Sequence, residues 1–311
     1  MRPWVPAAAL SLISCLTTTL YFFSTPESLK ATSAMNSASD AHWGYWGAPD
    51  ADFNWCEPDY QDSTFVAETW NSATSLLYII PAVIGLMNAR DYIRSGKRFY
   101  VLLGSTALVG VGSTIFHATL LYSSQLLDEL PMFYLVLSAA FILKYRDGRK
   151  GDIASKVAFA VAAAITALLF LEPKDSALHT VGRGFLTLGF TACFIYIFYA
   201  SCSISTELHD LGTAVAKRAA SDVSSLFELS FYSFIFAIVC WIIDIMRCGW
   251  LHTLPFYPQL HAFGWHVFSA FGIYPLFIVL VLNQEVRKGK KIYVDWRVLG
   301  FKGAAGGGKH D

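Results

Sequence analysis

Three histidines and one serine stand at positions where their side chains could act on a single reactive centre. Ser113 and His117 are four residues apart, a spacing that places both on one face of a helix. His261 and His266 occur in the string His-Ala-Phe-Gly-Trp-His. Each histidine lies at the edge of a long apolar segment, where a polar side chain is costly and usually marks a functional site. Three neutral imidazoles can hold one zinc ion and leave a position open for a water that attacks an amide.

Two neighbouring carboxylates, Asp128 and Glu129, are candidates for proton transfer at such a centre. A carboxylate beside an activated water can accept its proton and later return it. We prefer Asp128, with Glu129 as its competitor. Two structural alternatives stay open: Asp128 also suits the N-cap of a helix, and Ser113 suits close packing between membrane helices.

The composition places these residues in an integral membrane protein. Of the 311 residues, 55% are hydrophobic and only 15% are charged, and the mean hydropathy is +0.45. Soluble domains carry roughly 25% charged residues. The formal net charge is +0, so we expect no nucleic-acid partner, and nothing predicts an obligate protein partner.

Seven apolar stretches are long enough to cross a bilayer. They lie near residues 70–90, 99–121, 129–146, 153–171, 180–201, 228–247 and 262–283. A further stretch at 4–23 follows Arg2 and is either a cleaved signal peptide or a signal anchor; we favour the anchor because no sharp cleavage site follows it. The predicted fold is therefore an all-α bundle of seven transmembrane helices. Its expected parts are 1–31 (signal or anchor), 32–68 (luminal segment), 69–285 (helical domain) and 286–311 (basic tail, disordered from 303).

The basic residues predict the orientation of the bundle. Clusters of Lys and Arg occur in every second connection, at 90–98, 144–150, 217–218 and 287–291. By the positive-inside rule the C-terminal tail is cytoplasmic and residues 32–68 face the lumen or exterior. The alternation brings His117, Asp128, His261 and His266 to that same luminal face, together with the acidic stretch 54–68. This convergence supports one shared site.

The spacing of His261 and His266 sets a condition on the local helix. Five residues turn a regular α-helix by about 500°, so the two side chains would diverge by roughly 140°. A π-bulge or an irregular turn after Pro258 would restore a common face, and Gly264 inside the interval makes such a distortion easier. We predict a departure from regular α-helix through 259–268.

Several short strings, in order over roughly residues 44–285, resemble those of the alkaline ceramidases, seven-transmembrane zinc hydrolases related to the adiponectin receptors. The strings are Gly-Tyr-Trp-Gly at 44–47, Asn-Trp-Cys-Glu at 54–57, Ala-Glu-Thr-Trp-Asn at 67–71, Gly-Ser and Phe-His-Ala-Thr-Leu within 112–120, and Gln-Leu-Leu-Asp-Glu-Leu-Pro-Met at 125–132. The late helix with His261 and His266 is similar as well. The resemblance implies an intramembrane amidase that hydrolyses ceramide to a sphingoid base and a fatty acid. It implies a fungal-type member in the endoplasmic reticulum or Golgi membrane.

The resemblance also implies the ligands of two metal ions. Zinc would be held by His117, His261 and His266, with Ser113 and Asp128 beside it. Calcium would be held by Asn54, Trp55 (through its carbonyl oxygen), Glu57, Asp59 and Glu68, a set of the hard oxygen ligands that calcium prefers. The first calcium position is usually Asp in the family and is Asn54 here, with Asp52 as an alternative ligand nearby.

A disulfide is implied by the same resemblance. The six cysteines show no CxxC spacing, which argues against a cysteine zinc site. Cys56 and Cys248 both fall on the predicted luminal side, where disulfides persist. Their pairing would tie the N-terminal segment to the end of the sixth helix.

Two other classes of membrane protein remain as alternatives. A lipid-sensing receptor of the adiponectin or progestin type would share the histidines, the serine and the aspartate, but the stretch 54–68 resembles the ceramidases instead. A transporter is favoured by acidic residues at mid-membrane, and Asp244 is the chief one, without a repeated pair of broken helices. No G-x-S-x-G string is present for a serine hydrolase.

Overall fold

The computed structural model describes residues 44–93, 97–146 and 153–303. The apolar stretch at 4–23 and the tail beyond 303 lie outside the described residues.

Nine α-helices, one 3₁₀ turn, one π-helix and one β-hairpin make up the described part of the chain. The α-helices are α1 (Thr69–Ser75), α2 (Ile79–Ile93), α3 (Lys97–Thr119), α4 (Tyr122–Lys144), α5 (Ile153–Leu171), α6 (Ala177–Asp210), α7 (Ala214–Met246), α8 (Cys248–Leu251) and α9 (Val267–Arg287). The 3₁₀ turn Leu76–Tyr78 joins α1 to α2, and the π-helix Leu260–His266 runs directly into α9. The strands are β1 (Ile292–Asp295) and β2 (Gly300–Gly303).

The prediction of seven membrane-crossing helices is confirmed. Spans long and apolar enough to cross a bilayer are Thr69–Ala89, Arg98–Thr119, Tyr122–Lys144, Ile153–Leu171, Ala177–Asp210, Ala214–Met246 and Leu260–Arg287. The chain is therefore a multi-pass integral membrane protein. The sixth span begins fourteen residues before its predicted start at 228, because buried small residues such as Ala216, Ala219 and Ala220 continue the helix beyond its most apolar part.

Six of the spans form a closed ring and the fourth lies outside it. Neighbouring contacts run from α2 to α3, α3 to α4, α4 to α6, α6 to α7, α7 to α9 and α9 back to α2, whereas α5 packs chiefly on α6. The seventh span is 72% buried inside the protein and the fourth only 22%. The π-helix at the start of the seventh span packs against α7 and α1, and His261, Ala262, Gly264 and His266 are buried there.

A β-hairpin covers part of the opposite end of the bundle, where the sequence predicts only a basic tail. The two strands pair antiparallel, with Ile292 opposite Gly303. Ile292 and Val294 are buried against the helical core. The Tyr274 hydroxyl in α9 donates to the Leu299 carbonyl oxygen at 2.7 Å, which fixes the hairpin to the seventh span.

Candidate metal centre and catalytic residues

The π-helix gives His261 and His266 a common face. In a π-helix each hydrogen bond spans five residues instead of four, so side chains five positions apart lie above one another. The turn starts after Gln259, whose φ of 49° lies in the left-handed region. The distortion predicted from the histidine spacing is therefore present.

Gly264 lies inside this π-helix for a packing reason as well as a conformational one. A Cβ atom added there would lie 2.4 Å from Cβ of Cys240 in α7. Only glycine lets the π-helix approach α7 this closely. The close approach positions the two flanking histidines inside the bundle.

The three predicted zinc ligands meet at one point. His117, His261 and His266 are 1%, 2% and 1% exposed, and one potential ligand atom from each lies within 4.8 Å of the other two. Their ring centres are separated by 4.6 to 5.3 Å. This is the arrangement that three imidazoles require to bind one metal ion.

The partners of the ring nitrogens fit a metal-binding role. His266 Nδ1 lies 2.9 Å from the Thr74 hydroxyl oxygen, and His117 Nδ1 is bonded to Glu68 Oε2. Such bonds fix the ring orientation of metal-binding histidines and leave the other nitrogen to the metal. His261 Nδ1 is buried without a hydrogen-bond partner, and a buried polar atom of this kind calls for a ligand.

Glu68 orients His117 from just outside the first span. Its Oε1 accepts a hydrogen bond from the Trp55 backbone N–H at 3.1 Å, and its Oε2 accepts one from Asn71 Nδ2 at 3.3 Å. Burial raises the pKa of Glu68 well above its usual range, and the charges of Asp59 and Glu57 add to that effect. A carboxylate so placed is stabilised in its ionised form by a cation nearby.

Ser113 and Asp128 are brought together by a close contact between α3 and α4. Gly112 lies so near α4 that an added Cβ atom would be 1.9 Å from the Leu127 carbonyl oxygen. This contact brings the side chains of Ser113 and Asp128 close to each other, and the Ser113 hydroxyl oxygen accepts a hydrogen bond from Ser75 Oγ at 3.0 Å. Asp128 is the seventh residue of α4, so its interpretation as an N-cap is wrong; Leu121 holds that position.

Glu129, the competitor of Asp128, points to other partners. It forms an ion pair with Arg183 of α6, and it accepts a hydrogen bond from Gln125 Nε2 at 2.7 Å. A carboxylate held between a guanidinium and an amide has its oxygens engaged. The geometry thus favours Asp128 for proton transfer.

The N-terminal segment covers the histidines. The Trp55 ring stacks on His261 with ring centres 3.6 Å apart. The Glu68 N–H donates to the His117 carbonyl oxygen at 2.9 Å, and the Ala67 N–H donates to the Ala118 carbonyl oxygen at 3.0 Å. These bonds extend the end of α3 into the segment and separate the site from solvent on that side.

The calcium candidates belong to the same N-terminal segment, but they are less closely grouped than the histidines. In the described part of the chain, Glu57, Asp59 and Glu68 do not bring three ligand atoms within 4.8 Å of one another. Both oxygens of Glu57 accept backbone N–H groups at the start of α1, from Trp70 at 2.7 Å and Asn71 at 2.8 Å. Burial raises the pKa of Glu57 and of Asp59.

Three side-chain oxygens beside them are buried without a hydrogen-bond partner. They are Oδ1 of Asn54, Oδ1 of Asp59 and Oδ1 of Asn71. Asn54 Nδ2 donates to Asp59 Oδ2 at 3.0 Å, so the bond between these two residues uses neither of their Oδ1 atoms. Unpartnered oxygens suit a hard cation, and Asn71 is a candidate that the sequence alone did not suggest. Asp52, the alternative to Asn54, is bound by Lys174 at 2.7 Å.

The Asp244 side chain links the N-terminal segment to the π-helix through hydrogen bonds. This fully buried carboxylate accepts hydrogen bonds from the Cys56 N–H at 3.1 Å, the Tyr257 hydroxyl at 2.8 Å and the His261 N–H at 3.3 Å. One turn further along the chain, Cys248 forms a disulfide with Cys56, and their Cα atoms are 5.3 Å apart. A covalent and a hydrogen-bonded link therefore hold the same part of the segment.

The chain is similar to a known group of membrane enzymes over most of its length. A family model described as Ceramidase matches residues 47–300. The chain belongs to the ceramidase family. An alkaline ceramidase of Saccharomyces cerevisiae is 30% identical over 283 residues, which cover 82% of this chain and 85% of the relative. Alkaline ceramidase 3 of Mus musculus is 30% identical over 242 residues, covering 74% and 83%.

A plant relative gives a similar result. An alkaline ceramidase of Arabidopsis thaliana is 28% identical over 251 residues, covering 81% of this ceramidase and 91% of the relative. Fungal, animal and plant proteins thus match this ceramidase about equally. The similarity does not favour the fungal placement expected from the sequence.

Proposed function

We infer that this chain hydrolyses the amide bond of ceramide within the membrane and releases a sphingoid base and a free fatty acid. The observation that carries the inference is the convergence of three buried histidines in a chain of the ceramidase family, with Ser113 and Asp128 close to each other on the facing helices α3 and α4. Membership of the ceramidases favours this activity over a receptor.

We propose zinc as the metal of this site, held by His117, His261 and His266. Three imidazoles that are buried and fixed by outer partners are a common ligand set of hydrolytic zinc sites. Zinc held there would act as a Lewis acid toward the attacking water and the amide carbonyl group.

The side chains of the protein perform the remaining steps. Asp128 accepts the proton of the attacking water and returns it to the amide nitrogen as the C–N bond breaks. Ser113 donates a hydrogen bond to the carbonyl oxygen, where negative charge develops. Thr74 and Glu68 hold two of the imidazole rings in place through their Nδ1 atoms. Trp55 excludes water from the His261 side of the site.

We propose further that calcium binds to the N-terminal segment that covers the histidines. Asn54, Asp59 and Asn71 offer buried oxygens without partners. Trp55, Glu57 and Glu68, which the family resemblance also implies as calcium ligands, belong to the same part of the chain. A bound cation would offset the free energy of burying several carboxylates close together. Its expected effect is on the stability of the segment that covers the histidines.

The proposed location is the endoplasmic reticulum or Golgi membrane, with the C-terminus in the cytoplasm. The clusters of Lys and Arg support this orientation by the positive-inside rule. The disulfide between Cys56 and Cys248 supports it too, because disulfides persist in the lumen and not in the cytosol.

The test of the function is release of fatty acid from a defined ceramide by the purified protein. We expect activity from the wild type, and at least a hundredfold loss for His117→Ala, because a metal ligand is removed. The matched control is His209→Ala, which changes an exposed histidine at the end of α6. A protein that is folded and binds zinc but releases no fatty acid from any ceramide would refute the proposal.

A further inference from the structure

An apolar cavity begins beside His266 and extends between the helices. Most of its lining consists of aromatic and aliphatic side chains such as Phe194, Phe234 and Leu280. Trp265 and Ser269, which flank His266 in the seventh span, also line it. The cavity is therefore placed to receive a hydrocarbon chain of a lipid whose amide lies at the histidines.

Two residues of this apolar lining carry a hydroxyl group. Among the described residues that line the cavity, only Tyr78 and Ser269 carry a hydroxyl. Both side chains are buried, and their oxygens are 2.5 Å apart. A hydroxyl pair in a site for hydrocarbon is chemically distinct from its surroundings and can select for one polar group.

The direction of the hydrogen bonds can be worked out from the number of protons. Ser269 Oγ lies 2.5 Å from the Trp265 carbonyl oxygen, which can only accept. A serine hydroxyl has one proton, so Ser269 donates to Trp265 and accepts from Tyr78. The Tyr78 proton is thereby committed, and its oxygen keeps a lone pair that no donor among the described contacts occupies.

We propose that the Tyr78 oxygen accepts a hydrogen bond from a hydroxyl group of the lipid substrate. The proposal rests on the amidase function inferred above. The completed chain of bonds would run from the lipid O–H to Tyr78, from Tyr78 to Ser269 and from Ser269 to the Trp265 carbonyl. A group without a proton to donate, such as a ketone, cannot complete it.

The position of Tyr78 limits which hydroxyl can reach it. Thr74, which contacts His266, lies one helical turn before Tyr78 in the first span, and the Tyr78 ring stands edge-on to His266 with centres 6.2 Å apart. One turn corresponds to about 5 Å along the axis. The hydroxyl must therefore lie within a few bonds of the scissile amide.

Ceramides carry hydroxyl groups at this distance on either side of the amide. They are the 1-hydroxyl and the 3-hydroxyl of the sphingoid base and the 2-hydroxyl of an acyl chain that has been hydroxylated. All three are O–H donors. The structure therefore assigns the chemistry of the group, and a substrate panel assigns its source.

The experiment compares four ceramides that share their remaining structure: the 3-hydroxy compound, its 3-keto analogue, its 1-deoxy analogue and the 3-hydroxy compound with a 2-hydroxylated acyl chain. Release of fatty acid, or of hydroxy fatty acid, is measured as kcat/KM for wild type and Tyr78→Phe. This substitution removes the oxygen and keeps the ring that lines the cavity. Tyr134→Phe is the matched control, because Tyr134 binds Thr166 at 3.0 Å and does not line the cavity.

We expect Tyr78→Phe to lower the wild-type preference for one hydroxylated substrate by about tenfold, the effect of losing one buried hydrogen bond. Loss of the preference for 3-hydroxy over 3-keto identifies the 3-hydroxyl of the sphingoid base as the source, and loss of a preference for the 1-hydroxy over the 1-deoxy compound identifies its 1-hydroxyl. Loss of a preference for the 2-hydroxylated acyl chain identifies the acyl chain. Ser269→Ala frees the Tyr78 proton and is expected to weaken the same preference.

Each preference is a ratio measured on one protein preparation, so it does not depend on the folded fraction of a variant. Equal losses of Tyr78→Phe on all four substrates, or no loss on any, would overturn the proposal and leave the amidase function intact. A wild type that hydrolyses none of the four would overturn both.

Discussion

The Asp244 carboxylate holds the backbone N–H of His261 and the backbone N–H of Cys56 at the same time, at 3.3 and 3.1 Å. One side chain of the sixth span thus links a candidate zinc ligand to the segment that covers it. Asp244 does not need to touch substrate for this, so it is a positioning residue.

Replacement of Asp244 is expected to weaken zinc binding. In Asp244→Ala two backbone N–H groups lose their acceptor, and the first turn of the π-helix is no longer fixed. Groups that support a metal ligand from outside typically change the metal affinity by about 10- to 100-fold. The measurement is zinc release against a chelator of known affinity. The control is Asp222→Ala, because Asp222 lies toward the other end of the same helix and accepts a hydrogen bond from Trp296. This variant should release zinc as the wild type does. Equal zinc affinities for the wild type and Asp244→Ala would refute the positioning role of Asp244.

The contact of Gly112 with the Leu127 carbonyl oxygen predicts a size limit at that position. In Gly112→Ala the added methyl group must move α3 away from α4, and overpacking of this kind costs about 1–3 kcal/mol. We expect lower thermal stability and a large loss of amidase activity, because Ser113 and Asp128 separate. Gly104→Ala lies on the same helix with no atom within 4 Å of the new Cβ. If both substitutions had the same small effect, the close contact would be irrelevant to the site.

The two adjacent carboxylates of α4 should differ in their effect on the reaction. Asp128→Asn removes the proton acceptor, for which general acid–base catalysis predicts a loss in kcat of about 10²–10⁴. Glu129→Gln alters a side chain already bound by Arg183 and Gln125, and we expect a change in stability with kcat kept within a few-fold. Steady-state kinetics of both variants on one ceramide decide the matter. The reverse order of effects would assign proton transfer to Glu129.

Calcium should stabilise the protein through Asp59. A ligand that binds only the folded state stabilises it by about 2.7 kcal/mol at one hundred times its Kd, so we expect calcium to raise the thermal unfolding temperature of the wild type. Asp59→Ala should abolish this shift. Asp62→Ala removes a carboxylate of the same segment that is exposed and should preserve it. A wild-type unfolding temperature that does not respond to calcium would exclude the site.

Much of the fold could be predicted because apolar length and basic residues are properties of the sequence. The same alternation of crossings brought the three histidines to one face, and the spacing of His261 and His266 then required the π-helix that the structure contains. The start of α4 could not be predicted in this way. Residues 122–128 are polar enough to suggest a loop, yet buried contacts of Tyr122, Ser124 and Gln125 keep them helical.

Other features depend on contacts between residues far apart in the sequence. The hairpin of β1 and β2 has strands of only four residues, and its burial against the seventh span stabilises it. Thr74 and Asn71 lie in a helix whose pattern suggests packing alone. Thr74 contacts His266 because the first span packs against the seventh, and Asn71 contacts Glu68 because the first span packs against the N-terminal segment.

The most direct test of the central claim is the zinc content of the purified protein measured alongside its amidase rate. We predict about one zinc ion per chain in the wild type and a clear loss of both zinc and fatty-acid release in His266→Ala, with activity restored to the chelated wild type by added zinc. Full ceramidase activity in a preparation of wild type or His266→Ala that contains no zinc would contradict the account.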